Sequence, residues 1–476
     1  MNKPSLFQNP APYAARPDEI PPPALMSYPP PPPPALMRSA GASRREALEQ
    51  VQPIDIHNYD YVIVGCGFVG SVVARKMAEQ NKKCLILERR RHIAGNMFDE
   101  VDENGILVQR YGVHLFHTGS EDVWDVVKDF GDWRVRDNPS RVDFSSDPLA
   151  GVLHHNHPFE NSFIEPVVYP FNFSVIDTLY GGGGGAGASG VLYKDKAAEL
   201  KEILLKEFPG RDRVTISELY ASSDKDIIEF ADILFELDFR PYTSKQWGVD
   251  PEQLDASVIN RVPMLLNYGT ELVKVKYQRV PKEGFAKVFE RMLRHQNIDI
   301  ALNTDALDHL KIDFDNNAAL WDGKPLPQNA TILWTGAIDE LAGYKLGKLP
   351  YRSLAFDWRT EYTESYQPGL CVAYPNAKGY TRIVEYKKLL SQYAPGVTSI
   401  AVEYPLQAGK GMEPYYPILT CGNKKLYEKY RLMIDGIPQL ALAGRLADYK
   451  YYDMDAAIER ALEIARQFNK KDAAAV

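Results

Sequence analysis

Tyr61-Val-Ile-Val-Gly-Cys-Gly-Phe-Val-Gly70 is the stretch that decides the fold. An aromatic and three branched aliphatic residues make a short strand, which runs directly into Gly-x-Gly-x-x-Gly. Outward from it, Ser71 to Gln80 places Val72, Val73, Ala74 and Met77 at helical spacing. Cys84-Leu-Ile-Leu87 then forms a second apolar strand that ends on Glu88. The unit is βαβ, with glycines at the first turn and an acid at the second strand tip. Gly65 makes the tight turn, Gly67 admits a pyrophosphate to the backbone, and Gly70 allows close helix–strand contact. The helix N-terminus stabilises phosphate charge, and Glu88 accepts a ribose hydroxyl. A glycine turn alone is a weak signal, because such turns also occur without a ligand. The strand, helix and acid around this one make it specific. An acid at that tip favours an unphosphorylated ribose, so FAD or NAD rather than NADP.

A second glycine turn lies far downstream, in Gln439-Leu-Ala-Leu-Ala-Gly-Arg445. A helix follows over Met454 to Phe468, with Ile458, Ala461, Leu462 and Ala465 on its apolar stripe. A late strand–helix that returns to the first domain is a feature of FAD proteins. Its helix N-terminus stabilises negative charge on a reduced flavin, and this selects FAD over NAD.

The rest of the 476 residues divides in two by composition. Fourteen of the 34 prolines lie before Ile54, including the run Pro29 to Pro34. Residues 1–57 carry five basic and five acidic side chains, so the net charge of −8 belongs to the rest of the chain. The tail is expected to be disordered or polyproline II chain. The acidic body argues against nucleic acid as a partner. No apolar run reaches the ~18 residues of a membrane span, and the N-terminus does not read as a secretory signal. Cys66, Cys84, Cys371 and Cys421 are too few and scattered for a disulfide framework, so a reducing, cytoplasmic setting is expected.

Lys194 to Phe239 reads as helical, and Pro251 to Pro417 as short strands and turns, among them Ala330 to Trp334 and Tyr380 to Val384. Asp143 to Phe163 and the glycine-rich Gly181 to Gly190 look inserted. His154, His155 and His157 fall in the first insertion, where a solvated loop is favoured over a metal site, and no metal is expected. Arg261, Arg352, Arg382 and Arg445 mostly lie in tyrosine-rich segments. Guanidinium forks and phenols both bind phosphate oxygens, so the clustering points to an anionic substrate. Solvent-facing side chains are the ordinary reading for any single one of them.

The glycine turn, with Glu88-Arg-Arg-Arg-His-Ile-Ala-Gly-Asn96, resembles the UDP-galactopyranose mutase family. So do Tyr111-Gly-Val-His-Leu-Phe-His-Thr118, Tyr242-Thr-Ser-Lys-Gln-Trp-Gly248 and Tyr351-Arg-Ser-Leu354. The resemblance continues through Tyr380-Thr-Arg-Ile383, Glu413-Pro-Tyr-Tyr-Pro417 and Gly444-Arg-Leu-Ala-Asp-Tyr-Lys-Tyr-Tyr-Asp-Met454. It runs from about Asn58 to the C-terminus. It implies an α/β fold: a discontinuous Rossmann-like FAD-binding domain, a helical insert domain and a mostly antiparallel β-sheet domain. The expected divisions are 58–135 with about 330–350 and 418–476 for FAD, about 172–250 for the helices, and about 136–171, 251–329 and 351–417 for the sheet and substrate. The implied reaction interconverts the pyranose and furanose forms of a nucleotide sugar, UDP-galactose foremost, by attack of reduced FAD N5 on the anomeric carbon. NADPH or NADH is the implied reductant and a homodimer the implied assembly.

Carried over by position, Arg261, on a mobile loop, and Arg382 resemble the pair that grips the diphosphate, and both, with His117, are the expected catalytic residues. Asn138, Tyr242, Thr243, Trp247, Arg352, Tyr416, Tyr451 and Asp453 match substrate-binding positions. Gly65, Gly67, Val69, Gly70, Glu88, Arg89, Gly95, Asn96, His114, Gly444, Arg445, Tyr452, Asp453 and Met454 match cofactor-binding ones. His114 and His117 serve either proton transfer or backbone positioning at the flavin face. Two positions depart from the family. Leu272 stands where a loop-side tyrosine is expected. Asp238 stands where an aromatic stacks on uracil, with Phe239 one residue away, which makes a guanine base conceivable. The competing readings are the same chemistry on a GDP sugar, an amine-oxidase-type FAD oxidoreductase, and a regulatory protein with a vestigial flavin.

Overall fold

The computed structural model describes residues 55–135, 140–144, 166–180, 194–270, 275–409 and 411–474, with the backbone of Leu36–Met37. Most of the proline-rich tail, both insertions apart from Asp143 and Phe144, the three clustered histidines, Asn138 and Leu272 lie outside the described residues.

Tyr61–Val64 is an inner strand of a six-stranded sheet. It pairs in parallel with Cys84–Leu87 on one side and Ile332–Trp334 on the other. The order is Leu36–Met37, Ile298–Ala301, Cys84–Leu87, Tyr61–Val64, Ile332–Trp334, Leu440–Leu442. Only the Leu36–Met37 pairing is antiparallel. Successive strand residues point to opposite faces, and both faces are packed. Tyr61, Ile63, Cys84 and Ile86 join the helices Phe68–Ala78, Phe285–Leu293 and Met454–Ala474 in one core. Val62, Leu85 and Leu87 join Tyr430 and Ile434 of Cys421–Asp435 in another. This two-sided burial is why the strands read as unbroken apolar runs rather than as alternation.

Two expected boundaries move. Residues 251–329 do not belong together with the antiparallel sheet. Phe285–Leu293 packs on Phe68–Ala78, and Ile298–Ala301 aligns in parallel with Cys84–Leu87, so this helix and strand complete the Rossmann-like sheet. A four-residue strand among turns carries no mark of the sheet it joins. The ordered body also begins before residue 58, because Ile56 is buried in a turn capped by Asp55.

The helical part comprises Phe173–Tyr180, Lys194–Glu207, Ile216–Tyr220, Lys225–Leu234 and Arg240–Trp247. A π-helical turn, Phe235–Phe239, joins the last two. The second large sheet has seven strands, ordered Tyr416–Pro417, Tyr351–Glu361, Thr398–Gln407, Arg382–Glu385, Cys371–Ala373, Ser140–Val142, Val167–Tyr169. All its pairings are antiparallel except Cys371–Ala373 with Ser140–Val142.

Candidate active site

The three glycines of the first turn differ in what surrounds them. Gly65 has φ +100°, and a Cβ there would lie 2.2 Å from the Thr335 hydroxyl oxygen. A Cβ on Gly70 would lie 2.0 Å from the Gly65 carbonyl oxygen. A Cβ on Gly67 would meet nothing within 4 Å. The turn and the helix contact thus consume two glycines, and the third faces open space. That space is a cleft lined by every expected cofactor residue except His114.

Glu88, buried at the strand tip, holds the turn: its carboxylate accepts from the Cys66 N–H at 2.9 Å and the Arg90 N–H at 3.0 Å. Beyond it, Glu413 Oε2 receives Arg89 at 2.7 Å and Arg90 at 2.9 Å. Burial raises the pKa of Glu413, but Arg90 and Arg89 outweigh it and hold the carboxyl down at about 2. Arg90 also donates to Asn96 and lies 4.5 Å over the Tyr111 ring. The other wall comes from the second glycine turn. The Gly444 N–H donates to Asp448 Oδ2 at 3.0 Å, and Arg460 pairs with the same oxygen at 3.1 Å. The helix beginning at Met454 then points its N-terminus at the cleft, with Tyr452, Asp453 and Met454 in the lining. Two helix N-termini and a glycine face with room for a ligand fit a dinucleotide such as FAD.

At the end of the cleft, Arg445 lies 5.0 Å from the Tyr451 ring, and Arg261 lies 5.0 Å from the same ring. One phenol is therefore in contact with two guanidiniums. Tyr451, Tyr416 and Trp247 form an aromatic cluster with centroids 5.0 to 6.2 Å apart. The Gln246 amide donates to the Tyr416 hydroxyl. Arg382 extends from the antiparallel sheet, where Glu403 holds its Nε at 2.5 Å. Tyr242 stands among Arg382, Cys371, Glu403 and Arg261, with its phenol pushed up to about 12, mainly by burial. It stays neutral and able to donate. Positive charge and neutral donors thus converge where the cleft meets the helical part and the second sheet.

The structure brings most of the expected substrate residues to this mouth. Arg352 is buried and differently engaged: Nε donates to the Gln246 carbonyl at 2.8 Å and a terminal nitrogen to the Lys245 carbonyl at 2.9 Å. These bonds cap the helix Arg240–Trp247, which ends at Gly248 with φ +69°. Thr243 is buried in that same helix. His117 Nε2 is 3.9 Å from Asp453 Oδ2. His114 does not line the cleft, but is close enough to Arg445 and Arg382 to feel both charges. Burial and those two charges push its pKa down to about 3, so it is a neutral imidazole at physiological pH, and its Nδ1 is buried without a partner. Arg90, Glu413 and Glu403 are site residues that the sequence reading missed. The first two lie within quoted motifs. Glu403 has no local signal, because only strand register sets it opposite Arg382. Among the described residues no group of three His, Cys, Asp or Glu side chains is placed to hold a metal, and no helix is long and apolar enough to cross a membrane.

The sequence model of the UDP-galactopyranose mutase family matches residues 238–451, and that of an NAD(P)-binding Rossmann-like domain matches residues 63–130. The UDP-galactopyranose mutase of Mycoplasma pneumoniae is 30% identical over 421 residues, covering 87% of this chain and 97% of the relative. The dTDP-fucopyranose mutase of Escherichia coli is 28% identical over 413 residues, covering 86% and 98%. A crystal structure of reduced UDP-galactopyranose mutase superposes with a TM-score of 0.61 at 15% identity, covering 87% of this chain and 94% of the other, so the fold is shared. With the glycine cradle and the arginine–tyrosine mouth in place, these matches settle the matter: the chain belongs to the UDP-galactopyranose mutase family, isomerases that act on nucleotide sugars.

Proposed function

We propose that this protein interconverts UDP-galactopyranose and UDP-galactofuranose with FAD as its cofactor. The observation that supports this reading best is the placement of Arg261 and Arg382, with Tyr242, Tyr416 and Tyr451, at the end of the cleft that the two glycine turns line. An amine-oxidase-type reaction needs an apolar or aromatic cage for a substrate hydride. It does not need two guanidiniums and three phenols.

In this reading Gly67, Glu88, Arg90, Gly444 and the N-termini of the two helices hold the FAD. Reduced FAD, when bound, supplies the nucleophilic nitrogen that the anomeric carbon requires. Arg261 and Arg382 stabilise the diphosphate as its bond to the sugar breaks and re-forms. Tyr451 holds Arg261 through its ring face, and Glu403 aims Arg382. Neutral His114 adds no competing positive charge near Arg382. The same reading carries NADPH or NADH as reductant, a homodimer and cytoplasmic residence, all implied by the family resemblance. It also divides the chain into a discontinuous FAD domain, a helical insert and a substrate sheet.

The test is direct. Purified protein carries a flavin absorbance, and the dithionite-reduced enzyme converts UDP-galactofuranose to UDP-galactopyranose without net consumption of electrons. Conversion of a dTDP or GDP sugar, but not of UDP sugars, rejects the substrate and retains the chemistry. Stoichiometric electron transfer from substrate rejects the mutase reading.

A further inference from the structure

We propose that Asp238 reads the nucleotide base, its carboxyl group pairing edge-on with the N3–H and neighbouring carbonyl of a pyrimidine-2,4-dione. The inference rests on the reading of the cleft mouth as a nucleotide-sugar site.

Asp238 is only 3% exposed, yet it makes no side-chain hydrogen bond or ion pair among the described residues. A buried carboxyl without donors is costly unless it is neutral or a ligand supplies them. Its oxygens are not among the sealed partnerless atoms of the described residues, so they retain contact with solvent-sized space. It sits in the π-helical turn Phe235–Phe239, a form that recurs at functional sites. Tyr242 follows four residues later, close to the same helix face. Tyr169, on the adjoining strand, is influenced by Asp238, Tyr242 and Arg261 together. Polar groups close enough to influence one another therefore run from the diphosphate arginines through Tyr242 and Tyr169 to Asp238. Asp238, Tyr169 and Tyr242 do not line the cleft that takes the dinucleotide, which leaves them to the nucleoside once its diphosphate is gripped. Phe239, the neighbouring aromatic, packs on Phe171 in the helical core.

The protonation state decides which base fits. A carboxylic acid presents one O–H donor beside one carbonyl acceptor, which complements the acceptor and N–H of uracil or thymine. A carboxylate presents acceptors only, so it opposes the uracil carbonyl and suits the paired N–H groups of guanine. Burial pushes Asp238 up to about 7, against the pull of Lys245. The Lys245 ammonium donates to the carbonyls of Tyr374, Ala377 and Tyr380, and the phenols of Tyr169 and Tyr242 are both raised by burial. The acid form is thus available near neutrality, which favours the pyrimidine.

The test measures UDP-galactose binding to the oxidised holoenzyme at pH 6 and pH 8, where the sugar diphosphate itself does not titrate. The wild-type affinity is expected to fall roughly tenfold over that interval, as the protonated fraction falls. Asp238→Asn, whose amide also offers one donor beside one acceptor, is expected to bind with little pH dependence and near the wild-type affinity at pH 6. Asp238→Ala is expected to bind weakly at both, with flavin content and thermal midpoint confirming that each variant folds. A flat wild-type profile in an enzyme that turns over UDP-galactose overturns the role of Asp238 and leaves the proposed function standing. So does loss of affinity in Asp238→Asn equal to that in Asp238→Ala. Tighter binding of a GDP sugar than of UDP-galactose at pH 6, where the carboxyl is protonated, overturns both readings.

Discussion

Arg382 and Glu403 face each other directly across two antiparallel strands, with the Arg382 Nε 2.5 Å from Glu403 Oε2. Glu403 is 1% exposed on its side chain, whereas Arg382 is 28% exposed and reaches toward the cleft mouth. The pair therefore orients a partly open guanidinium from a closed base. Among the described residues no hydrogen bond occupies the terminal nitrogens of Arg382, which in the proposed function fork onto the diphosphate. The second Glu403 oxygen is sealed without a partner, so the carboxylate has no other hydrogen-bonding duty among the described residues.

If aiming Arg382 is the role of Glu403, Arg382→Lys and Glu403→Gln fail in the same way. Lysine keeps the charge but lacks the Nε that Glu403 holds, and glutamine keeps the shape but lacks the charge. Each is expected to lower kcat by roughly tenfold to a hundredfold, with flavin content unchanged. The double variant should cost little more than either alone. Additive losses would show that Glu403 acts independently of Arg382. Arg382→Ala should retain FAD and lose nearly all activity.

The glycine turn gives a sharper contrast. Gly70→Ala drives a methyl to 2.0 Å from the Gly65 carbonyl oxygen, while Gly67→Ala enters open space at an ordinary φ of −79°. Gly70→Ala is expected to lower the thermal midpoint of the apoprotein and to lose flavin. Gly67→Ala should leave the apoprotein midpoint within about a degree and still lose flavin, because its methyl occupies the phosphate approach. Equal flavin content in Gly67→Ala and the wild type would remove the dinucleotide from this face.

These two examples mark what was legible in the sequence. Gly65, Gly67, Gly70 and Glu88 lie within one local βαβ unit, so period, turn chemistry and spacing sufficed to place them. The late return of Leu440–Leu442 and Met454–Ala474 was legible for the same reason. Ile298–Ala301 was not, because a strand as short as Ile-Asp-Ile-Ala fits either sheet and only parallel pairing with Cys84–Leu87 assigns it. Glu403 was hidden likewise: its partner is 21 residues away, and register is a tertiary property. Arg352 carries a duty that no local pattern announced. A motif position implied a substrate contact, and the fold also engages two of its nitrogens in ending a helix.

Tyr451 tests whether a ring, rather than a hydroxyl, holds Arg261. Both guanidiniums lie 5.0 Å from the ring, so Tyr451→Phe keeps both contacts and Tyr451→Leu removes them. A cation–π contact is worth about 0.5–2 kcal/mol. Tyr451→Leu is expected to raise KM for the nucleotide sugar by roughly threefold to thirtyfold. Tyr451→Phe should raise it less, by whatever the phenol hydroxyl gives the diphosphate. Identical KM values for the two variants would mean that the ring face does not position Arg261.

Glu413 sets an acid limit on the cofactor cleft. Its pKa falls from an ordinary 4.5 to about 2 on folding, with burial overridden by Arg90 and Arg89. A depressed carboxyl binds its proton more weakly in the folded state, so its contribution is fully present above about 4.5 and is lost as pH falls toward 2. The thermal midpoint of the wild type should therefore exceed that of Glu413→Gln at pH 6, and the gap should narrow steadily between pH 4.5 and pH 3. Arg90 also contacts Asn96 and Tyr111 in the cleft, so Glu413→Gln should release flavin more readily at pH 6, where the wild type retains it. A gap between the two proteins that stays constant from pH 6 to pH 3 would show that Glu413 stabilises the cleft by packing rather than by charge.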